Sequence, residues 1–208
     1  TSTPVAAKVE RLRHLLATLE LDAALLRSAA SFAWATGGAA SYINLASTVG
    51  EASLLITAGD AYLLTNNIEA PRLEQEEGLA EQGWTFKVSP WYEQNNAIAR
   101  LTEGMRLGAD VAYPGAADLS GPLSRLRAEL TPAEGERFRA LGQRCAAAMD
   151  EAARAVRPGM TEQEIASLLG AASQKRGAVP IVNLIATDER IFNFRHPCLL
   201  YTSDAADE

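Results

Sequence analysis

Two cysteines, Cys145 and Cys198, are all that 208 residues contain. They are too few for a disulfide framework and do not form a CxxC metal knuckle, so any metal would need other ligands. No apolar run approaches the roughly 18 residues of a membrane span, which excludes a spanning helix. Positive charge is also short, with 19 Lys and Arg against 26 Asp and Glu and a net charge of −7. With no basic stripe there is no footprint for a phosphate backbone, and nucleic acid is excluded as a partner. The opening "TSTPVAAKVERLRHLL" lacks a basic region followed by an apolar core and a small-residue cleavage site. It is therefore not read as a signal peptide, and a cytoplasmic location is expected. What remains is an ordinary globular composition, 48% apolar and 22% charged, long enough for one large domain or one domain and part of another.

The first part of the chain alternates helix and strand signals. Val5, Val9, Leu12, Leu16 and Leu19 recur three or four apart and put one apolar stripe on a helix. His14 falls outside that stripe and reads as a surface residue. "DAALL" reads as a buried strand, "SAASFAWATG" as a short helix ending at Gly37, and "ASLLITAGDAYLLTN" as two strands joined at Gly59-Asp60. A polar helix through "NIEAPRLEQEEGLAEQG", a strand "WTFKVS", a helix "WYEQNNAIARLTEG", a strand "RLGADV" and a helix over 118–130 complete an α/β layer. Glu74, Glu76, Glu77 and Glu81 read as a solvated helix face. "TGGAAS" at 36–41 lacks the lysine of a phosphate loop and reads as a flexible turn. Trp34, Trp84 and Trp91 read as core or interface anchors.

The texture changes at Thr131. "TPAE" is a capping box, with Thr131 as the cap, Pro132 at the first helical position and Glu134 reaching back to the cap amide. Phe138, Leu141, Cys145, Met149, Ala152 and Val156 keep a helical stripe until "RPGM" stops it. "TEQE" repeats the box from Thr161 to Glu164, with Ile165, Leu168, Leu169 and Ala172 expected on the buried face. Gly177 ends that helix, and "AVPIVNLIATDERIFNF" alternates enough to predict strand, with Asp188, Glu189 and Arg190 as a hairpin turn holding a local ion pair.

"LTPAEGERFRALGQRCAAAMDEAARAVRPGMTEQEIASLL" resembles the opening of the pita-bread catalytic domain of the creatinase, prolidase and aminopeptidase P superfamily. Its long helix, "RPGMTE" turn and second helix stand in the family's order. Upstream, "DAALL", "SFAWATGG", "ASLLITAGDAYLLTN" and "IEAPRLEQE" resemble the family's N-terminal α/β domain. The resemblance implies a creatinase-like N-terminal α/β domain over 1–130, followed by a truncated α+β pita-bread catalytic domain over 131–197. The remaining 198–208, "CLLYTSDAADE", reads codon for codon as a translated adapter of the kind used in transposase-based sequencing libraries. It is expected to be a non-native tail, and Asp204 and Asp207 are not taken as metal ligands.

The function that the resemblance implies is that of a fragment of a metal-dependent Xaa-Pro peptidase, hydrolysing the peptide bond before proline. The alternatives are a creatinase-like hydrolase of a C–N bond in a small molecule, and a metal-free relative acting as a binding module. In the family two aspartates, a histidine and two glutamates hold two divalent ions, manganese, cobalt, iron or zinc. Such ions acidify a bridging water and polarise the scissile carbonyl. All five ligands normally lie beyond the segment present here, so no metal ligand is assigned and the fragment itself is expected to be inactive. His196 is the one candidate for chemistry, as the histidine that in active relatives holds the carbonyl side of the substrate and shuttles a proton. Its neighbours Arg195 and Pro197 depart from the glycine-rich surroundings of the family pattern, which keeps the binding-module alternative open. The resemblance further implies a homodimer when full length, with the N-terminal domain of one subunit closing the other's site over a peptide or small-molecule substrate.

Overall fold

Helix α1 (Pro4–Thr18) buries Val9, Leu12 and Leu16 along the stripe its sequence encodes, and leaves His14 exposed. It opens a computed structural model that describes residues 4–199. The chain divides into two compact units, one ending at Glu129 and the other starting at Leu130.

The first unit is built on a six-stranded mixed sheet of order β4-β3-β2-β1-β5-β6. Strands β1 (Ala23–Ser28), β2 (Val49–Thr57) and β3 (Ala61–Asn66) pair antiparallel in sequence order. The turn at Gly59-Asp60 closes with the Thr57 amide donating to the Asp60 carbonyl at 3.0 Å. Strand β4 (Thr85–Ser89) joins β3 in parallel, while β5 (Leu107–Ala109) and the two-residue β6 (Ala117–Asp118) extend the other side in parallel from β1.

One sheet face is covered by α1, α2 (Ala29–Thr36), α3 (Ala70–Gln75) and α5 (Ser120–Ala128), whose Leu12, Phe32, Leu73 and Leu123 pack with Leu26, Leu54, Ile56 and Leu63. The opposite face holds a smaller cluster in which Ile98 of α4 (Gln94–Thr102) meets Leu25, Leu55 and Leu64. This is the half-parallel layer that alternating strand and helix signals predict, with period-two strands buried on both faces. The expected polar helix is shorter than the sequence suggests, because Gly78 and Gly83, both left-handed, break it into α3 and a 3₁₀ turn over Leu79–Gln82.

The second unit contains α6 (Pro132–Ala155), α7 (Glu162–Gln174) and the single-turn α8 (Arg190–Asn193). Both predicted capping boxes form: Thr131 and Thr161 each accept from the backbone amide three residues on, and Glu134 and Glu164 each accept from the cap amide. Helix α6 ends where Val156 turns extended and the Arg157 guanidinium caps the carbonyls of Arg154 and Val156 at 2.6 and 2.8 Å.

Several expectations fail here. No strand forms over 178–194: a strand needs a neighbouring edge for its amides and carbonyls, and among the described residues this unit has none. Arg190 pairs with Glu162 rather than with Asp188 or Glu189. The α6 stripe is not a covered face, since Phe138, Leu141 and Met149 are exposed and only Ala148, Ala152 and Glu134 are buried. In α7 the buried positions are Glu162, Ala166 and Ala172. Of the expected foreign tail only Cys198 and Leu199 are described, and the rest lies outside the described residues.

Candidate functional site

His196 lies on a bend between Phe194 and Pro197 and is exposed. The bend is fixed from a distance. The carboxylate of Glu162, in the first turn of α7 and buried, accepts from Arg190 Nε at 2.9 Å and from the Thr187 amide at 3.1 Å. Arg190 Nη2 then donates to the Cys198 carbonyl at 2.8 Å, and its guanidinium lies 5.1 Å from the Phe194 ring. One arginine thus ties both ends of a nine-residue loop that presents the imidazole. No hydrogen bond or ion pair joins His196 to another described residue.

A dinuclear metal centre does not fit the described residues, among which no three His, Cys, Asp or Glu side chains converge as ligands. The carboxylates with displaced pKa values are engaged in caps and surface ion pairs. Hydrogen bonds from the Thr161 backbone and side chain hold Glu164 below the usual carboxylate range. Those from Arg176 do the same for Glu151, and those from Ser120 for Asp118. Asp22 is likewise held down by hydrogen bonds from Arg106, and none of the four is raised toward neutrality as a general base would be.

A second concavity, of about 460 Å³, lies beyond the C-terminal end of β5 and is lined by Asp110, Tyr113, Asp118 and Ser120. The carboxyl ends of parallel strands are where open α/β sheets place ligands. Here both carboxylates are already occupied. Asp110 accepts from the Arg27 amide at 2.7 Å, the Ser28 amide at 3.1 Å and Ser28 Oγ at 2.6 Å, while Asp118 accepts from the Ser120 amide at 2.7 Å. They lock the elbow between β1 and α2 and the start of α5, and are not free for acid–base work.

The sequence also hid two anchoring arrangements. Lys8 is buried against Trp34, donating to its carbonyl at 2.7 Å and lying 5.5 Å from its ring. The segment "TGGAAS" reads as flexible, yet Ala39 and Ser41 are buried and the Ala40 peptide is clamped from both sides. Its carbonyl accepts from Arg72 at 3.0 Å and its amide donates to Glu77 at 3.1 Å. Glu77 therefore leaves the solvated run and bonds Arg72 at 3.2 Å. Trp34 and Trp84 are core residues, whereas Trp91 is exposed.

Comparison with solved structures places this fold. An Xaa-Pro dipeptidase from Bacillus anthracis superposes with a TM-score of 0.63 at 20% identity, covering 83% of this chain and 49% of its own. The prolidase from Pyrococcus horikoshii gives 0.61 at 16%, covering 81% and 48%. A zinc-substituted aminopeptidase P from E. coli, in complex with product, gives 0.56 at 18%, covering 82% and 50%. At such identities the likeness is one of fold, and this chain spans about half the length of each of these proteins. No curated protein matches the sequence. The model of the creatinase/prolidase N-terminal domain matches residues 8–141. With well over half of its residues inside that match, the chain belongs to the creatinase/prolidase N-terminal domain family.

Proposed function

We propose that this chain is the N-terminal half of a metal-dependent peptidase that cleaves the bond before proline. The observation that carries the reading is the family match over 8–141, which ends inside the capped helix α6 and is followed by a second capped helix, α7. That order is the one expected of a creatinase-like N-terminal domain leading into a pita-bread catalytic domain. In this reading residues 1–130 shape access to the site, the two divalent ions are held by residues further along the full-length protein, and the whole works as a cytoplasmic homodimer on a peptide.

His196 then takes the substrate side. An exposed imidazole on a loop pinned by Glu162 and Arg190 can meet a carbonyl oxygen and exchange a proton with the substrate. The direct test is to express the full reading frame and assay Xaa-Pro dipeptides and tripeptides with manganese or cobalt supplied. Turnover that falls 10²–10⁴-fold in His196→Ala, the usual range for losing a general acid–base group, supports the assignment. Turnover unchanged by that substitution removes His196 from the mechanism, and no turnover on any Xaa-Pro peptide removes the peptidase reading.

A further inference from the structure

Strand β4 is the outer strand of the six-stranded sheet and pairs only with β3. The Ser89 carbonyl accepts from the Asn67 amide at 2.9 Å, so Ser89 faces β3. Alternation along the strand then turns Thr85 and Lys87 the same way, and aims the N–H and C=O groups of Phe86 and Val88 away from the sheet. Among the described residues nothing accepts or donates at those four groups. The opposite border ends in the two-residue β6 and is too short to serve as a template.

Edges of this kind are commonly blunted by a lysine thrown across them. Lys87 is not placed that way, because its ammonium leans back over the Tyr62 ring of β3 at 5.2 Å. Beside the edge, on the face that carries α4, lies a groove of about 540 Å³. Its floor is Leu64, Ile98 and Leu101, and its charged groups are Lys87 and Arg100. Arg100 is only loosely engaged, 3.6 Å from an exposed Glu93. A strand added to β4 would project alternate side chains over this groove.

We propose that the open edge of β4 and this groove form a docking site for an extended peptide segment that adds as a seventh strand and carries an acidic side chain opposite Lys87. Backbone bonds to Phe86 and Val88 set the register, and apolar side chains two residues to either side of the acid rest on the Leu64, Ile98 and Leu101 floor. Charge decides against a second copy of this chain as the occupant. Antiparallel self-pairing through Phe86 and Val88 would set Lys87 directly against its own counterpart, and like charges so placed destabilise a ladder.

The test uses the 208-residue chain and two synthetic peptides, Ac-Val-Thr-Glu-Thr-Val-NH₂ and the same peptide with lysine in place of glutamate. The glutamate peptide should bind, slow hydrogen exchange at the Phe86 and Val88 amides, and weaken at least tenfold in the Lys87→Glu/Arg100→Glu variant, to which the lysine peptide should bind more tightly than to the parent. Val88→Pro removes one outward N–H without touching the β3 ladder and should abolish binding. Methylating alternate peptide nitrogens, with the protein unchanged, should do the same. Equal binding of both peptides, binding that survives N-methylation, or exchange unchanged at Phe86 and Val88 overturns the proposal. So does a dimer, seen by sedimentation without peptide, that Val88→Pro dissociates.

Discussion

Arg190 and Glu162 lie 28 residues apart in sequence and meet at 2.9 Å, Nε to Oε1, with the Glu162 side chain only 2% exposed. The same guanidinium reaches the Cys198 carbonyl, so this pair sets the shape of the loop carrying His196. Truncating Arg190 withdraws the guanidinium from a buried carboxylate, a kind of change that costs about 3 kcal/mol. Arg190→Ala is therefore expected to be the more damaging substitution and Glu162→Gln the milder, since the amide still accepts from the Thr187 amide. Measured on the full reading frame, chemical-shift changes in Arg190→Ala should spread over 187–198 and leave the first unit untouched. A loop that keeps its shifts in both variants would show that the pair does not hold it.

The elbow between β1 and α2 depends on one carboxylate in the same manner. Asp110 satisfies the Arg27 amide and both donors of Ser28, and Ser28 Oγ in turn accepts from the Ser31 amide at 3.1 Å to cap α2. Asp110→Ala leaves three donors without their acceptor in a half-buried position. At about 1–3 kcal/mol for each unsatisfied group, discounted for water that can reach them, the loss should be about 3 kcal/mol. Asp110→Asn, which keeps one acceptor oxygen, should lose about half of that. Denaturant melts of the two variants check the order, and equal midpoints would refute it.

What could be read from the sequence was whatever is local. Capping boxes at Thr131 and Thr161, the hairpin at Gly59-Asp60 and the α1 stripe as far as Leu16 are short-range chemistry and stand where the residues placed them, whereas Leu19 falls beyond the helix and is exposed. The losses were long-range. A lysine at the fifth position of an amphipathic helix gives no hint that it will be buried on a tryptophan 26 positions later. Arg72 and Glu77 look solvated because the Ala40 peptide they clamp is more than 30 residues away. "AVPIVNLIATDERIFNF" has the alternation of a strand, but pairing belongs to the sheet and not to the segment, and no partner edge is present. The Glu162 and Arg190 pair that shapes the loop carrying His196 was equally hidden, its members being 28 residues apart.

The second capping box also predicts a pH response. Glu164 is held below its ordinary value of 4.5, chiefly by the Thr161 backbone amide and then by the Thr161 hydroxyl. A carboxylate with a depressed folded-state pKa stabilises the fold fully above the unfolded value, and that contribution fades as pH falls through the lowered value. The start of α7 should therefore be intact at pH 6 and fray only as pH falls below the ordinary carboxylate range. Carboxyl-carbon NMR titration should place the Glu164 midpoint below the ordinary glutamate value of 4.5. Thr161→Ala should move the midpoint back up. A midpoint for Glu164 at or above the ordinary value, or one unmoved by Thr161→Ala, would contradict the cap.

The two units should differ in their ability to fold alone. The first buries Leu12, Leu25, Leu26, Phe32, Leu54, Leu55, Ile56 and Leu63 essentially completely, each worth about 1.5–3 kcal/mol relative to exposure. Between α6 and α7 the buried apolar side chains are Ala148, Ala152, Ala166 and Ala172, each contributing about 0.8 kcal/mol for its methyl group. Ordering the backbone costs about 1–2 kcal/mol per residue, which four methyl groups and two capping boxes do not offset over helices of 24 and 13 residues. Phe138, Leu141, Ile181, Val182, Ile191 and Phe192 remain exposed. A segment of residues 1–130 should accordingly melt cooperatively, and limited proteolysis of the whole chain should leave a core ending near 130. A segment of 131–208 should show partial helix by circular dichroism, no cooperative melt, and binding of a hydrophobic dye. A protease-resistant core running through 131–197, or a sharp thermal transition in the isolated second segment, would mean that the α6–α7 pair is stabilised by something other than the burial described above.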